Sequence, residues 1–468
     1  MQFHEPKRIP APDPVTQYIF EQGQLVGKFA KKLFHGGIEI SCDDFIANVE
    51  QTEQLLQGRN RLFEAGLLFE ELYSRVDILN PAGEDEWDII EVKSSTSVKD
   101  VHFDDVSFQK YCCAKLGLKI RRSFLMHLNN QYVKHGEIDP EKLYVVQDVS
   151  AEVGEAINGI QNRIDSMFEI VSQSRCPDVT IGKRCSDPYD CPLTAECWDS
   201  LPEGHVFTLY GGGKRCIELF DKGILAIKDI PDDYRLSAAQ QIQKECEVAG
   251  RPHVNRERIA NFLSTLRYPL YYLDFETIGP AVPIFDGTRP YQDIPFQFSL
   301  HMVKNEEASP EHFSFLASGA DDPRPALLSE LKRLLGNSGS IIVYNQGFEE
   351  GILKESANAF PEYSSWISLV CGRLIDLLKP FTKFHYYHPL QKGSASLKSV
   401  LPALTGRSHQ GMDIADGMAA SIAFYAITYT EVPRETRHKV RADLEKYCAL
   451  DTEGMILIVD RLRALCDK

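Results

Sequence analysis

Two carboxylates in Tyr271-Tyr272-Leu273-Asp274-Phe275-Glu276-Thr277 are the residues around which this chain makes chemical sense. The apolar, aromatic run after Pro269 has strand character, and in a strand side chains two positions apart share a face. Asp274 and Glu276 therefore project together while Phe275 packs behind them. Paired carboxylates repel unless a cation sits between them, and their oxygens suit hard divalent ions such as Mg²⁺ or Mn²⁺. Asp-x-Glu alone also occurs at solvated strand ends, so its meaning depends on what surrounds it.

Three other groupings invite the same question. Asp77 stands near the end of one strand-like run and Glu91-Val92-Lys93 in the next, with Glu91 and Lys93 on one face. An Asp and a Glu can hold a divalent ion, while a lysine beside them can orient or deprotonate water and stabilise charge on a phosphate. Cys185, Cys191 and Cys197 recur at even spacing in a loop rich in Pro, Asp and Gly. Structural cysteines usually sit on apolar strands or helices, so a polar loop argues for a metal. Tyr447 and Asp451, four apart on a long helical stretch near the end, lie on one helix face.

The elements that must position these residues follow from periodicity. After an extended start at Pro6, Pro10, Pro12 and Pro14, TQYIFEQGQLVGKFAKKLF has helical spacing, and a second helix is expected over 44–57. LFEAGLLFEELYSRVDIL and EWDIIEVKSS read as strands separated by a turn at Asn80-Pro81-Ala82-Gly83, and a long helical stretch covers 150–172. Residues 201–265 read as short helices around glycine-rich breaks, where GILAIKDIP suits either a plain spacer or a phosphate-gripping helix-hairpin-helix. IPFQFSLHMV and HFSFLA then continue the sheet of Asp274, and SIIVYNQGFEEGILKE runs from a buried strand into a helix. A helix is expected over 396–404, before the final one. The class is α/β.

The 468 residues suffice for two or three domains. With 51 basic and 67 acidic side chains the net charge is −16, which argues against coating nucleic acid non-specifically. Metal-binding carboxylates contribute to that balance, and basic pairs at Lys31-Lys32 and Arg121-Arg122 remain. The chain has no run of about 18 apolar residues to span a membrane and no apolar signal-peptide core near its start, so a cytoplasmic location is expected. There its twelve cysteines should be thiols or metal ligands rather than disulfides.

Asp77 and Glu91-x-Lys93 on neighbouring strands resemble the core of the PD-(D/E)XK, restriction-endonuclease-like nucleases, and the next helix supplies Gln109 and Tyr111, similar to the Gln/Tyr motif of the RecB-like branch. The resemblance implies Asp77 and Glu91 as metal ligands, with Lys93 and Gln109 catalytic. RecB-like nucleases often add a histidine from the first helix; here Gln24 stands near that place and His35 lies beyond the helix. The Gln/Tyr spacing is also shorter than in that motif, and both departures point to an impaired site. Cysteines just after such a core resemble the iron–sulfur-stapled nucleases, including the CRISPR-adaptation exonucleases. That implies a [4Fe–4S] cluster, with Zn²⁺ or free thiols as alternatives. Those nucleases carry one ligand before the core, whereas the first cysteine here is Cys42. Either Cys176 completes the set or an N-terminal piece is missing.

Asp274-x-Glu276, then Asn345-x-x-Phe348-Glu349, then Tyr447-x-x-x-Asp451 resembles the order of an RNase H-like, DnaQ-like 3′–5′ exonuclease of the DEDDy type. This implies two divalent ions held by Asp274, Glu276 and Asp451, with Tyr447 orienting the attacking water. Lys446, where the histidine subtype carries its histidine, points to the tyrosine subtype. The middle acid is Glu349 rather than Asp; it reaches one methylene further and can still ligate, with Asp376 as the next candidate. EVKSSTSVKDVH, CSDPYDCP and DGTRPYQDIPFQFSLH look like a bacterial domain-of-unknown-function family that joins the two halves. The expected arrangement is a RecB-like domain over 1–172, a cysteine loop over 173–200, a helical connector over 201–265 and an RNase H-like domain over 266–468. The implied partner is DNA or RNA with a single-stranded 3′ end. The rivals are a non-catalytic nucleic-acid-binding or assembly module, and a phosphodiesterase acting on nucleotides.

Overall fold

Alternation of apolar side chains decides how the first sheet is covered. In the computed structural model, which describes residues 6–177 and 179–467, Leu79 and Ile89 pack to one side with Val106 and Cys113. Their neighbours Ile78 and Ile90 pack to the other side with Val26 and Ala30. The fold is mixed α/β, and the chain divides into two units, residues 1–180 with 279–292 and residues 181–278 with 293–468.

In the first unit, α1 (Pro14–Lys31) starts where the Asp13 side chain accepts a 2.7 Å bond from Thr16 N, and the residues before it include a 3₁₀ turn at Pro6–Arg8 rather than extended chain throughout. β1 (Ile38–Glu39) and α2 (Phe45–Gln57, capped by Asp44) follow. The next strand-like run is a hairpin of two strands, β2 (Leu62–Phe69) and β3 (Leu72–Ala82), because Glu70 takes a left-handed φ of 54°. β3 continues through Asn80 and Pro81, which pair with Asp88 and Trp87 of β4 (Glu86–Lys93). The expected turn therefore sits later, at Gly83 with φ 54°. α3 (Asp100–Lys115), β5 (Lys119–Leu128), α4 (Pro140–Leu143) and β6 (Tyr144–Asp148) come next. Residues 150–172 form two helices, α5 (Ser150–Ala156) and α6 (Ile160–Ser172), broken at Gly159 with φ 74°. The six-stranded sheet runs β1-β2-β3-β4-β5-β6, parallel at β1/β2 and β4/β5.

Nothing in the sequence pattern marks the return of residues 279–292 to this unit. Ala281 N donates to Gln22 Oε1 at 3.0 Å, Lys134 exchanges backbone bonds with Gly287 and Thr288, and its ammonium lies 2.6 Å from Asp286.

The second unit opens with short helices, α7 (Thr194–Trp198), α8 (Lys214–Asp221) and α9 (Ala238–Ala249). GILAIKDIP, between α8 and α9, holds a 3₁₀ turn at Ile227–Asp229 packed on Leu219. β7 (His253–Val254) and α10 (Arg256–Leu263) lead into β8 (Leu270–Ile278), β9 (Ile294–Val303) and β10 (Glu311–Leu316). Then come α11 (Arg324–Leu334), β11 (Ser340–Val343), α12 (Gln346–Ala359), α13 (Ser364–Cys371) and β12 (Leu374–Asp376). α14 (Lys379–Thr382), β13 (Tyr386–Tyr387), α15 (Leu397–Thr405), α16 (Gly417–Tyr429) and α17 (Arg434–Cys466) finish the chain.

The second sheet runs β10-β9-β8-β11-β12, antiparallel through its first three strands and parallel from β8 to β12. Tyr271, Leu273 and Phe275 pack with Leu327, Leu331, Ile352 and Leu353 on one side. Tyr272 packs with Val400, Leu401, Met455 and Ile458 on the other, and strand parity sends Asp274 and Glu276 to that α17 side. Among the described residues, no helix is long and apolar enough to cross a membrane.

Candidate functional site

Polar bonds fasten the middle of α17 across β9. Gln297 Nε2 donates to Leu444 O at 3.0 Å, and the Thr452 hydroxyl lies 2.7 Å from Ser299 Oγ and 2.8 Å from His301 Nδ1. Between those two anchors α17 presents Tyr447, Cys448 and Asp451 to the carboxylates of β8. The Cys448 thiol donates to Asp274 Oδ2 at 3.7 Å, and ligand atoms of Asp274, Glu276 and Cys448 all lie within 4.8 Å of one another.

The electrostatics are those of a cluster of acids short of positive charge. Burial and then the nearby Asp451 raise Asp274 well above the carboxylate range; burial, then Asp274 and Asp451, do the same to Glu276. Glu349 comes in from α12, 1% exposed, with Oε2 lacking a hydrogen-bond partner. Burial and then Asp274 push it up to about 9. Among the described residues, no Lys or Arg forms an ion pair with Asp274, Glu276, Glu349 or Asp451, and the ammonium of Lys398 lies over the Tyr447 ring at 5.4 Å. Tyr447 is buried, and its hydroxyl is held strongly protonated by burial and then by Asp451. Asp376 is already engaged, its Oδ1 accepting from Leu378 N at 3.0 Å and Asn345 N at 3.3 Å.

The structure thus brings Asp274, Glu276, Asp451 and Tyr447 together, with Glu349 close enough for Asp274 to shift it. It also adds residues the motif reading missed. His409, from the loop before α16, places Nε2 2.9 Å from Asp451 Oδ1, off the angle of a hydrogen bond, and its ring centre is 5.6 Å from that of Tyr447. Cys448 was detectable, since it lies three residues before Asp451 and hence on a neighbouring stripe of the helix. Gly417, first in α16, sits where a Cβ would lie 3.5 Å from Glu276 Oε2, so the positive end of that helix adjoins Glu276. The donor set fits a divalent cation: oxygens of Asp274 and Glu276 and the Cys448 sulfur converge, and Lys398 is the positive side chain that acts on both carboxylates without forming an ion pair with either.

The first unit gathers Asp77, Glu91, Lys93 and Gln109 as well. Asp77 accepts from Val92 N at 2.8 Å, and burial followed by Glu91 raises it well above its ordinary range. Glu91 is already bonded, to Lys93 at 2.9 Å and to Gln109 Nε2 at 2.7 Å. Burial lowers the Lys93 ammonium, but Glu91 and Asp105, the latter also 2.9 Å away, outweigh it and hold the lysine above its usual value. The adjoining cleft of about 530 Å³ is lined by Gln24, Lys31, Glu64, Arg75, Asp77 and Lys93. Glu64, unexpected from sequence, leaves the β2 ladder at φ 57° and pairs with Lys31 at 2.8 Å and Arg75 at 3.0 Å. Its signal is an acid inside the apolar run LFEAGLLF. Tyr111 bonds Gln161 on α6 instead of joining Glu91, and His35 offers its carbonyl to Arg61. The basic pairs are partly neutralised: Lys31 by Glu39 and Glu64, Arg121 by a bidentate pair with Asp88.

The cysteine loop lies between α6 and α8. Cys191 N bonds Cys185 O at 2.8 Å, yet among the described residues Cys185, Cys191 and Cys197 do not bring their sulfurs within 4.8 Å as a set. Cys176 falls in the first unit and the other three in the second, and all twelve cysteines are free thiols. The backbone bonds of this loop, Cys191 N to Cys185 O and Thr194 N to Cys191 O, hold its turns locally.

Comparison with known proteins finds two relatives. The chain is 27% identical over 206 residues to an uncharacterized protein of Mycoplasma pneumoniae, covering 40% of this chain and 31% of that one. It is 25% identical over 235 residues to an uncharacterized protein of Mycoplasma genitalium, covering 45% of this chain and 34% of that one. The chain thus spans about a third of the length of these relatives. No solved structure matches it. Residues 271–396, which contain Asp274, Glu276, Glu349 and Asp376, match the model of a domain of unknown function, DUF2779.

Proposed function

We propose that the chain is a metal-dependent nuclease whose second unit has an RNase H-like fold and removes nucleotides from a 3′ end by hydrolysis. The observation that carries this reading is the buried, mutually repelling set of Asp274, Glu276, Asp451 and Glu349 beside the neutral hydroxyl of Tyr447, with no lysine or arginine paired to it among the described residues. A sheet with three antiparallel strands followed by two parallel ones, crossed by a helix that returns to the central strand, supports the same fold. Divalent cations, when bound, supply stabilisation of charge on the phosphate and a more acidic water. The chain's residues do the rest. Tyr447 donates its proton in a hydrogen bond that aims the water, Lys398 beside it adds positive charge for the phosphate, and burial excludes bulk solvent.

For the first unit we propose a PD-(D/E)XK-like fold with an auxiliary or nucleic-acid-binding role. Glu91 is held by both Lys93 and Gln109, which favours a subordinate site over an independent enzyme. The test is hydrolysis of end-labelled single- and double-stranded DNA and RNA, and of mononucleotide esters, with Mg²⁺ or Mn²⁺. Wild type should trim oligonucleotides from the 3′ end, Asp274→Asn should not, and Lys93→Ala should retain trimming. Cleavage lost only in Lys93→Ala would transfer the activity to the first unit, and no cleavage by wild type would leave a binding module.

A further inference from the structure

The second unit's site differs from an all-oxygen metal centre in one atom, the sulfur of Cys448. This side chain is fully buried, is donated by the same helix as Tyr447 and Asp451, and lies 3.7 Å from Asp274 Oδ2. Its sulfur belongs with one oxygen each of Asp274 and Glu276 to a set spanning no more than 4.8 Å. A second observation stands beside it: Glu349, 1% exposed on α12, has Oε2 without a hydrogen-bond partner and is near enough to Asp274 for the two acids to act on each other. A buried carboxyl oxygen left unpaired costs free energy that a bound cation would recover.

Ligand chemistry then decides which cation. Mg²⁺ takes oxygen ligands and rarely accepts sulfur, whereas thiolates favour softer or borderline ions. We propose that Cys448 is a metal ligand, together with Asp274 and Glu276, and that this mixed oxygen–sulfur set takes a borderline divalent cation of the zinc or cobalt class ahead of Mg²⁺. The proposal deepens the reading of this unit as a metal-dependent hydrolase and rests on that reading for its catalytic consequence, although not for the binding itself. On binding, the metal–sulfur bond replaces the S–H bond, the thiol proton passes to the buffer, and the metal stays divalent.

The test uses the metal-free 468-residue chain titrated with Co²⁺, following the near-ultraviolet thiolate-to-cobalt absorption, then Zn²⁺ in competition and Mg²⁺ separately by calorimetry. The loop cysteines contribute equally to wild type and to Cys448→Ser, so the difference spectrum isolates Cys448. The expected result is a thiolate band missing in Cys448→Ser and in Cys448→Ala. Zn²⁺ affinity at this site should fall about tenfold or more, while Mg²⁺ affinity changes by less than about twofold. Asp274→Asn, which keeps the thiol, guards against a folding defect of the buried cysteine variants and should also lose the band. Identical spectra in wild type and Cys448→Ser, or a full Cys448 band in Asp274→Asn, would overturn the proposal. Metal binding as expected without any hydrolysis would sink the nuclease reading alone. Hydrolysis with Mg²⁺ and no thiolate band would sink this inference alone.

Discussion

Two acid clusters in one chain solve the same electrostatic problem in opposite ways. In the first unit Glu91 has Lys93 at 2.9 Å and Glu64 has Lys31 and Arg75, so the protein supplies its own countercharge. In the second, Asp274 and Glu276 have one another, Asp451 and a thiol, with the Lys398 charge acting on them but forming no ion pair. Burial raises the cost of that arrangement, since repulsion and desolvation both act against the ionised forms. A cluster that pairs its own charges can be a stable piece of architecture. One that leaves them without an ion pair gains most from a cation taken up from solution.

The contrast is testable at decreasing scale. The largest effect is on chemistry: in Mn²⁺ or Mg²⁺, Asp274→Asn should slow 3′-end trimming by roughly 10²–10³-fold or more, and Lys93→Ala by less than about tenfold. A reversed order, read from labelled-oligonucleotide time courses, would invert the comparison. Next comes stability. Removing the Lys93 ammonium leaves Glu91 and Asp105 without a cation, so Lys93→Ala should lower the free energy of unfolding in urea by about 1–3 kcal/mol. Asp274→Asn should act in the other direction in metal-free protein, raising stability by about 1 kcal/mol through lost repulsion, and this gain should vanish once divalent metal is added. A destabilised Asp274→Asn in chelator would mean that the second cluster is balanced after all.

The smallest effect is on pH dependence. Glu349, at about 9 in the folded chain, is raised above its ordinary value of 4.5, so the native state keeps a proton that the unfolded chain releases. Stability from this group is complete below about pH 4.5 and is lost as pH rises towards about 9. In chelator, the thermal midpoint of wild type should therefore fall across that window by about 2–4 °C more than that of Glu349→Gln. Parallel curves would show that Glu349 does not share the field of Asp274.

What the sequence disclosed depended on how far apart the cooperating residues lie. Asp274 with Glu276, and Tyr447 with Asp451, each sit on one element, and the periods of strand and helix announce them. The helix from Arg434 to Cys466 and the strand from Leu270 to Ile278 were legible for the same reason. His409 and Lys398 come from other segments whose approach no local period encodes. Cys448 stood in plain view but reads as an ordinary small core residue. The split of the run 62–82 at Glu70 was hidden because a non-glycine residue takes the left-handed turn, and the break at Gly159 because one glycine within a helical pattern is often tolerated.

The excursion at residues 279–292 has a consequence for the order in which the chain can be finished on the ribosome. The N-terminal unit lacks the partner of the Gln22 side chain, and the loop that clasps Lys134, until roughly 100 further residues beyond Thr180 have emerged. At about 5–20 residues per second this is a wait of some 5–20 s. During synthesis the first sheet must persist with that side uncovered, and the part of the chain translated first is not the part that can be completed alone.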